Sequence, residues 1–239
     1  MEQSIGVRKK GLSNSSLKMI AIFMMLLDHI STIVLTTENL FVISYMPIIA
    51  DSFHFLGRMA FPIFAFLIVE GFYHTSNFKK YMGRLLAFAF ISEMPYDFAF
   101  VGSFFDPMLQ NVFFTLFIGL ITVYFVDRFK GSTIIQFAVV FIFSIISIFV
   151  KCDYEIIGII IMVMFYIYRE DKRALAAVML VIFSFFAIVY NNWMYLGVFL
   201  SMPLILMYNG EKGNSLKYVF YGFYPVHLIV LAIIAKILI

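Results

Sequence analysis

Seven side chains that could do chemistry sit inside otherwise apolar runs: Asp28, His29, Arg58, Glu93, Asp97, Asn111 and His227. A charge near a bilayer centre costs about 2.5–3.5 kcal/mol on insertion scales, so an ionisable group kept there is a functional candidate by default. Two of the seven are imidazoles, which titrate near neutrality and suit general base work. Asp28 and His29 are adjacent, hence about 100° apart on a helix and not automatically a pair; Ser31 and Thr32 extend their polar face. Glu93 and Asp97 are four residues apart and share a face, with Pro95 between them to remove a backbone donor and favour a kink. Tyr221, Tyr224 and His227 recur every three residues around Pro225. The set comes from five spans at similar depth, which permits one shared polar chamber; the plainer alternative is a series of separate interhelical hydrogen bonds. No spacing argues for a metal among these groups.

A second cluster ends in a basic stretch: Glu70-Gly71-Phe72-Tyr73-His74-Thr75, then Asn77, Lys79, Lys80 and Arg84. Basic residues at a membrane surface obey topology or meet anionic lipid. The functional alternative is a phosphate site for a cytosolic, nucleotide-like donor, with Arg84 paired either to Glu70 or to a phosphate.

The elements that carry these residues must be membrane helices. Of 239 residues, 63% are hydrophobic and 13% charged, against about 45–50% apolar and about 25% charged in soluble domains. The mean hydropathy is +0.99. Such a chain cannot cover a soluble globule with polar surface, which excludes soluble enzymes, nucleic-acid binders and disordered proteins. The expected fold is all-α: a single polytopic bundle over 1–239, after a basic cytoplasmic tail over 1–16. Charge-bounded apolar runs place nine spans near 17–36, 55–73, 85–101, 110–126, 133–150, 154–168, 174–190, 193–208 and 218–238. Leu40–Ala50 is apolar but too short to cross, and reads as interfacial or re-entrant. With alternating sides, fourteen of seventeen Lys and Arg fall on one side; only Arg58, Lys151 and Lys236 lie elsewhere. The positive-inside rule makes the rich side cytoplasmic, with the N-terminus inside and the C-terminus outside. The first apolar run holds Asp28 and His29 and lacks a small-residue cleavage site, so it reads as a retained span rather than a signal peptide. Cys152, a lone cysteine, reads as a packing residue at a span end.

Several stretches resemble the TraX family, named for the membrane protein that N-acetylates conjugative pilin. They are Leu17-Lys18-Met19-Ile20-Ala21 with Asp28-His29; Gly57-Arg58, Phe61-Pro62-Ile63-Phe64-Ala65-Phe66 and Glu70-Gly71-Phe72; Tyr81, Arg84-Leu85-Leu86, Ser92-Glu93 and Pro95-Tyr96-Asp97; Asn111-Val112-Phe113-Phe114-Thr115-Leu116; and Tyr224-Pro225-Val226-His227-Leu228. The match is dense over 17–120 and returns at 220–230; between 125 and 215 only hydropathy matches. The resemblance implies an integral-membrane acyltransferase in the cytoplasmic membrane of a bacterium, with acetyl-CoA as donor and a pilin-like peptide or surface glycan as acceptor. The implied centre has His29 as base, oriented by Glu93 or Asp28, and Arg58 or Asn111 at the developing oxyanion, with Asp97 and His227 also matching. Lys79, Lys80 and Arg84 would hold the donor's phosphates beside Glu70. Two other classes remain: a proton-coupled transporter using the same acids and histidines as a relay, and a non-catalytic assembly factor.

Overall fold

A computed structural model describes residues 10–37, 40, 43, 45–189, 191–214 and 217–238. The described chain is helical, with two isolated β-bridges and no strand. In chain order the elements are α1 (Asn14–His29) running into a π-helical segment (Ile30–Leu35), α2 (Met46–Gly57), α3 (Ala60–His74), α4 (Phe78–Phe100), α5 (Val112–Arg128), α6 (Thr133–Val150), α7 (Glu155–Tyr168), α8 (Lys172–Val189), a 3₁₀ segment (Trp193–Leu200), α9 (Ser201–Leu206) and α10 (Lys217–Leu238).

Short polar residues start these helices by local chemistry. Ser13, Asn77 and Asn111 each accept from a backbone N–H of the first turn, of Ser16, Lys80 and Phe113 respectively, as N-caps do. Lys151, at φ 58°, ends α6 in the left-handed region. α4 runs unbroken through Pro95.

Among the described residues, hydrogen bonds tie the segments between helices together at two ends of the bundle. At one end Leu12 N–H donates to the Met207 carbonyl and Asn209 N–H to the Leu12 carbonyl, Asn14 N–H donates to the Glu211 carbonyl, and the Lys172 ammonium donates to the carbonyls of Leu206 and Tyr208. At the other end Gln110 N–H donates to the Lys151 carbonyl and Asp153 N–H to that of Gln110. The main core lies between α1, α3, α5 and α7, where Leu17, Ile63, Leu120 and Met162 are fully enclosed. α6 touches it only through the partly buried Val139 and Val140, while α8 adds Leu175, Met179 and Phe183 from one face. Ile134, Phe137 and Phe149 of α6 are exposed, as expected of side chains facing lipid rather than water.

Among the described residues five helices are long and apolar enough to cross a bilayer: Asn14–Leu35, Met46–His74, Thr133–Val150, Lys172–Val189 and Phe220–Leu238. With this composition the protein is a membrane protein. The second of these helices differs from expectation. It has 29 residues and begins at Met46 rather than near 55, so half of the stretch read as re-entrant is built into it. Pro47 explains the start, because proline at the first turn of a helix loses no intrahelical bond. Residues 38, 39, 41, 42 and 44 of the connection, and Arg8 and Lys9 of the basic tail, lie outside the described residues, as does the Lys217 side chain.

Candidate functional site

A cavity of about 520 Å³ enters the bundle at the end that carries the starts of α1, α4 and α10, a volume within the usual range for small-molecule sites. Its mouth holds Lys18, His74, Arg84 and Lys212, and its walls are apolar, with Phe64, Leu67, Leu85 and Leu116. Met25, Val112, Phe113 and Tyr224 also line it, and Tyr224 is buried.

Helical register explains why these residues share one space. On α1, Lys18, Met25 and His29 are separated by seven and four residues and lie on one face. Lys18 and Met25 line the cavity, and His29 stands one turn beyond Met25, about 16 Å along the axis from Lys18. On α10, Tyr221 and Tyr224 line the cavity and His227 follows three residues on. The two helices thus act as rails from a basic mouth to a pair of imidazoles. His29 Nδ1 and His227 Nε2 are 2.7 Å apart, with the rings near-parallel. Tyr224 meets both rings edge-on, at 6.1 and 5.6 Å between centroids. Phe100 packs on His29 from another side. His227 Nδ1 donates to the Phe223 carbonyl at 2.8 Å.

The other buried polar groups resolve into separate pairs rather than one chamber. Asp28 accepts from the Arg58 guanidinium at 2.6 Å and lies 2.8 Å from His54 Nδ1. Glu93 accepts from the Asn111 side-chain amide and backbone N–H. Asp97 accepts from Asp106 N–H at 2.8 Å, which ties α4 to the loop that follows it. Glu70 accepts from Arg169 at 2.6 Å, with His74 at 3.5 Å. Arg169 also stacks on Tyr73, its guanidinium carbon 3.8 Å from the ring centroid. Asp28 and Glu70 are met by guanidinium groups, because an unpaired charge in an apolar interior is costly, whereas Glu93 and Asp97 have only neutral donors and each keeps one buried oxygen without a partner among the described residues.

Several expected partnerships are therefore exchanged. His29 has His227, not Asp28 or Glu93, at hydrogen-bond distance. Glu70 takes Arg169, which leaves Arg84 in the cavity wall. The Arg84 Nε is buried without a hydrogen-bond partner among the described residues, and the guanidinium lies beside Tyr221 and Tyr81. Lys79 and Lys80 are exposed and outside the cavity wall. Lys18 and Lys212 stand at the mouth in their place. The α1 register was a usable signal for Lys18; nothing local pointed to Lys212. His54 reads in sequence as an ordinary surface histidine, and Arg169 as a topological charge. Their pairing with Asp28 and Glu70 depends on contacts 26 and 99 residues apart. Ser31 and Thr32 diverge as adjacent helical residues do: Ser31 is buried and donates to the Ala50 carbonyl, and Thr32 faces outward and donates to its own helix at Asp28. No cluster of metal-ligating side chains is present among the described residues.

A family model described as TraX protein matches residues 13–235. A relative from Dichelobacter nodosus, described as "Probable fimbrial assembly protein FimC, serogroup H1", is 30% identical over 236 residues, covering 90% of this chain and 92% of the relative. No solved structure matches the chain.

Proposed function

The chain belongs to the TraX family, and on that premise we propose that it is an integral-membrane acyltransferase moving an acetyl or similar acyl group from acyl-CoA to an amine or hydroxyl. One observation carries the reading: a single cavity joins a mouth bearing Lys18, Arg84 and Lys212 to Tyr224, against which both imidazoles pack. A donor with phosphates at one end and a thioester on an apolar arm fits that order of surfaces. Arg84 lines the cavity beside Tyr221 and supplies the guanidinium for a phosphate, and the apolar walls suit the arm.

In the reaction the acceptor nitrogen or oxygen attacks the thioester carbonyl carbon, and His29 takes the proton the acceptor loses. The carbon–sulfur bond then breaks, and the departing thiolate receives that proton from His29. No net charge is created. General base assistance of this kind contributes about 10²–10⁴-fold. Arg58 is committed to Asp28 and Asn111 to Glu93, so these pairs serve to hold α2 and α5 around the centre. The acceptor reading follows the relative's description as a fimbrial assembly protein: a pilin-like peptide amine comes first, a surface-glycan hydroxyl second. Taking the π-helical segment with α1, α2 with α3 and the 3₁₀ segment with α9, the helices act as nine crossings of a bacterial cytoplasmic membrane, N-terminus inside and C-terminus outside, with the cavity opening to the cytosol. The described Lys and Arg support this, since only Arg58, Lys151 and Lys236 lie at the far end.

The proton-transport reading has less support, because the buried acids sit in separate pairs instead of a connected file. Purified protein in detergent, given radiolabelled acetyl-CoA and a pilin-type peptide, tests the proposal. Label should appear on the peptide, and on nothing when His29 is alanine. A folded protein that neither binds CoA nor transfers label would overturn it, and an uncoupler-sensitive proton flux in vesicles would then favour transport.

A further inference from the structure

We propose that His227 is a positioning residue that fixes the tautomer of His29, so that the reactive atom of the centre is Nε2 of His29. This rests on His29 as the base of the proposed transfer. The order of hydrogen bonds decides it. A carbonyl oxygen can only accept, so the 2.8 Å contact between His227 Nδ1 and Phe223 O places a proton on that nitrogen. A neutral imidazole has one N–H, so Nε2 of His227 is bare. The 2.7 Å contact between that atom and His29 Nδ1 needs one proton between them, and it must come from His29. Nε2 of His29 is then left with its lone pair, and it has no hydrogen bond to another described residue.

The opposite order would make His227 an imidazolium that donates in both directions. Its surroundings argue against this: the ring stacks on Phe223 and His29, meets Tyr224 edge-on and is buried. The nearest acid to the pair in sequence, Asp28, is already held by Arg58 and His54. A charged ring there would be unpaired. When His29 Nε2 takes the acceptor's proton, its Nδ1–H stays donated to His227 and His227 stays donated to the Phe223 carbonyl. The new positive charge meets an aligned chain of dipoles. Backbone carbonyl and second histidine together do what a carboxylate does in a catalytic triad, where the partner on the far ring nitrogen sets which nitrogen reacts. Phe223 and His227 are four residues apart on α10, so a single helical turn builds the device, and Tyr224 between them closes the cavity's inner end.

The test reads the tautomers directly. The chain has 4 histidines, so ring-¹⁵N-labelled protein in detergent, with each histidine substituted in turn for assignment, gives separable NMR signals. In the parent protein His29 and His227 should both be neutral with the proton on Nδ1. In His227→Gln the side-chain oxygen can still accept, so His29 should keep Nδ1–H and turnover should stay within about tenfold. In His227→Leu, similar in bulk but without an acceptor, His29 should shift towards Nε2–H. The same variant should lose kcat by on the order of 10–10²-fold, less than the loss when a triad's charged carboxylate is replaced, with KM for acetyl-CoA unchanged. A parent signal showing Nε2–H at His29 overturns the proposal, as does a His227→Leu protein whose His29 tautomer matches the parent's. If the tautomers are as expected and the parent transfers no acyl group, the hydrogen-bond order stands and the acyltransferase reading falls.

Discussion

Two basic side chains near the same mouth do opposite jobs. Arg169 is spent on Glu70, and Arg84 faces the cavity. Replacing Arg84 with Ala should weaken CoA binding, and raising salt should erase most of the difference, because a phosphate contact at a wet mouth is screened over about 8 Å at physiological ionic strength. Lys should recover only part, since an ammonium lacks the bidentate fork. Isothermal titration at two ionic strengths checks this, and equal affinity for the parent and Arg84→Ala at low salt would return the residue to a topological role. Arg169→Ala should act on stability instead. Glu70, with its side chain 5% exposed, would keep a buried carboxylate without its main donor, at a cost of about 1–3 kcal/mol. Pairing that change with Glu70→Gln should restore much of the loss in a thermal melt, and a double variant no more stable than Arg169→Ala would break the argument.

At the scale of elements, the contact between α1 and α2 is set by a missing side chain. A Cβ at Gly57 would lie 2.3 Å from the Asp28 Cβ, so any larger residue forces the two helices apart just where Asp28 reaches Arg58. Gly57→Ala should lower the melting temperature, at a cost of about 1–3 kcal/mol as for an overpacked interior, and reduce turnover with little effect on CoA affinity, since the cavity mouth lies at the other end. Asn111 works at a second joint. It caps α5 through Phe113 N–H while its amide serves Glu93 and the Ala89 carbonyl. Asn111→Asp would keep the cap but set two carboxylates together, and Asn111→Ala would lose both, about 1 kcal/mol for the cap alone. Melts should therefore rank the parent above either variant; an unchanged Asn111→Ala melt would show that the joint carries no weight.

For the whole molecule, the proposed orientation rests on charge placement. Reporter fusions after Met108 and after Asn191 should read outside, and those after Gly131 and Gly210 inside, because the first pair lies at the end holding Lys151 and Trp193 and the second at the end holding Arg128 and Lys212. A cytoplasmic signal after Met108 would invert the cavity relative to the cytosol and remove its access to acyl-CoA. The exposed apolar faces of α6 and α8 belong to the same picture: both stand at the bundle edge, where lipid replaces protein as the neighbour.

What the chain could declare by itself was anything that depends on local composition. Apolar runs bounded by charge mark helices, because a backbone in lipid must satisfy its own hydrogen bonds. Ser13, Asn77 and Asn111 mark helix starts, and the ionisable residues in apolar runs mark where buried polar pairs must form. The TraX membership is of this kind too, since it is read from the order of residues along 13–235. Partnership is different. Whether His29 meets Asp28, one residue away, or His227, 198 residues away, is settled by how α1 and α10 pack. Adjacent residues on a helix diverge by about 100°, so sequence proximity argues against contact. Glu70 found Arg169 and Asp28 found His54 for the same reason. The cavity itself, with Lys18 and Lys212 brought to one mouth from opposite ends of the chain, exists only in the assembled bundle, because it is the space that α1, α3, α4, α5 and α10 leave when their larger side chains pack elsewhere.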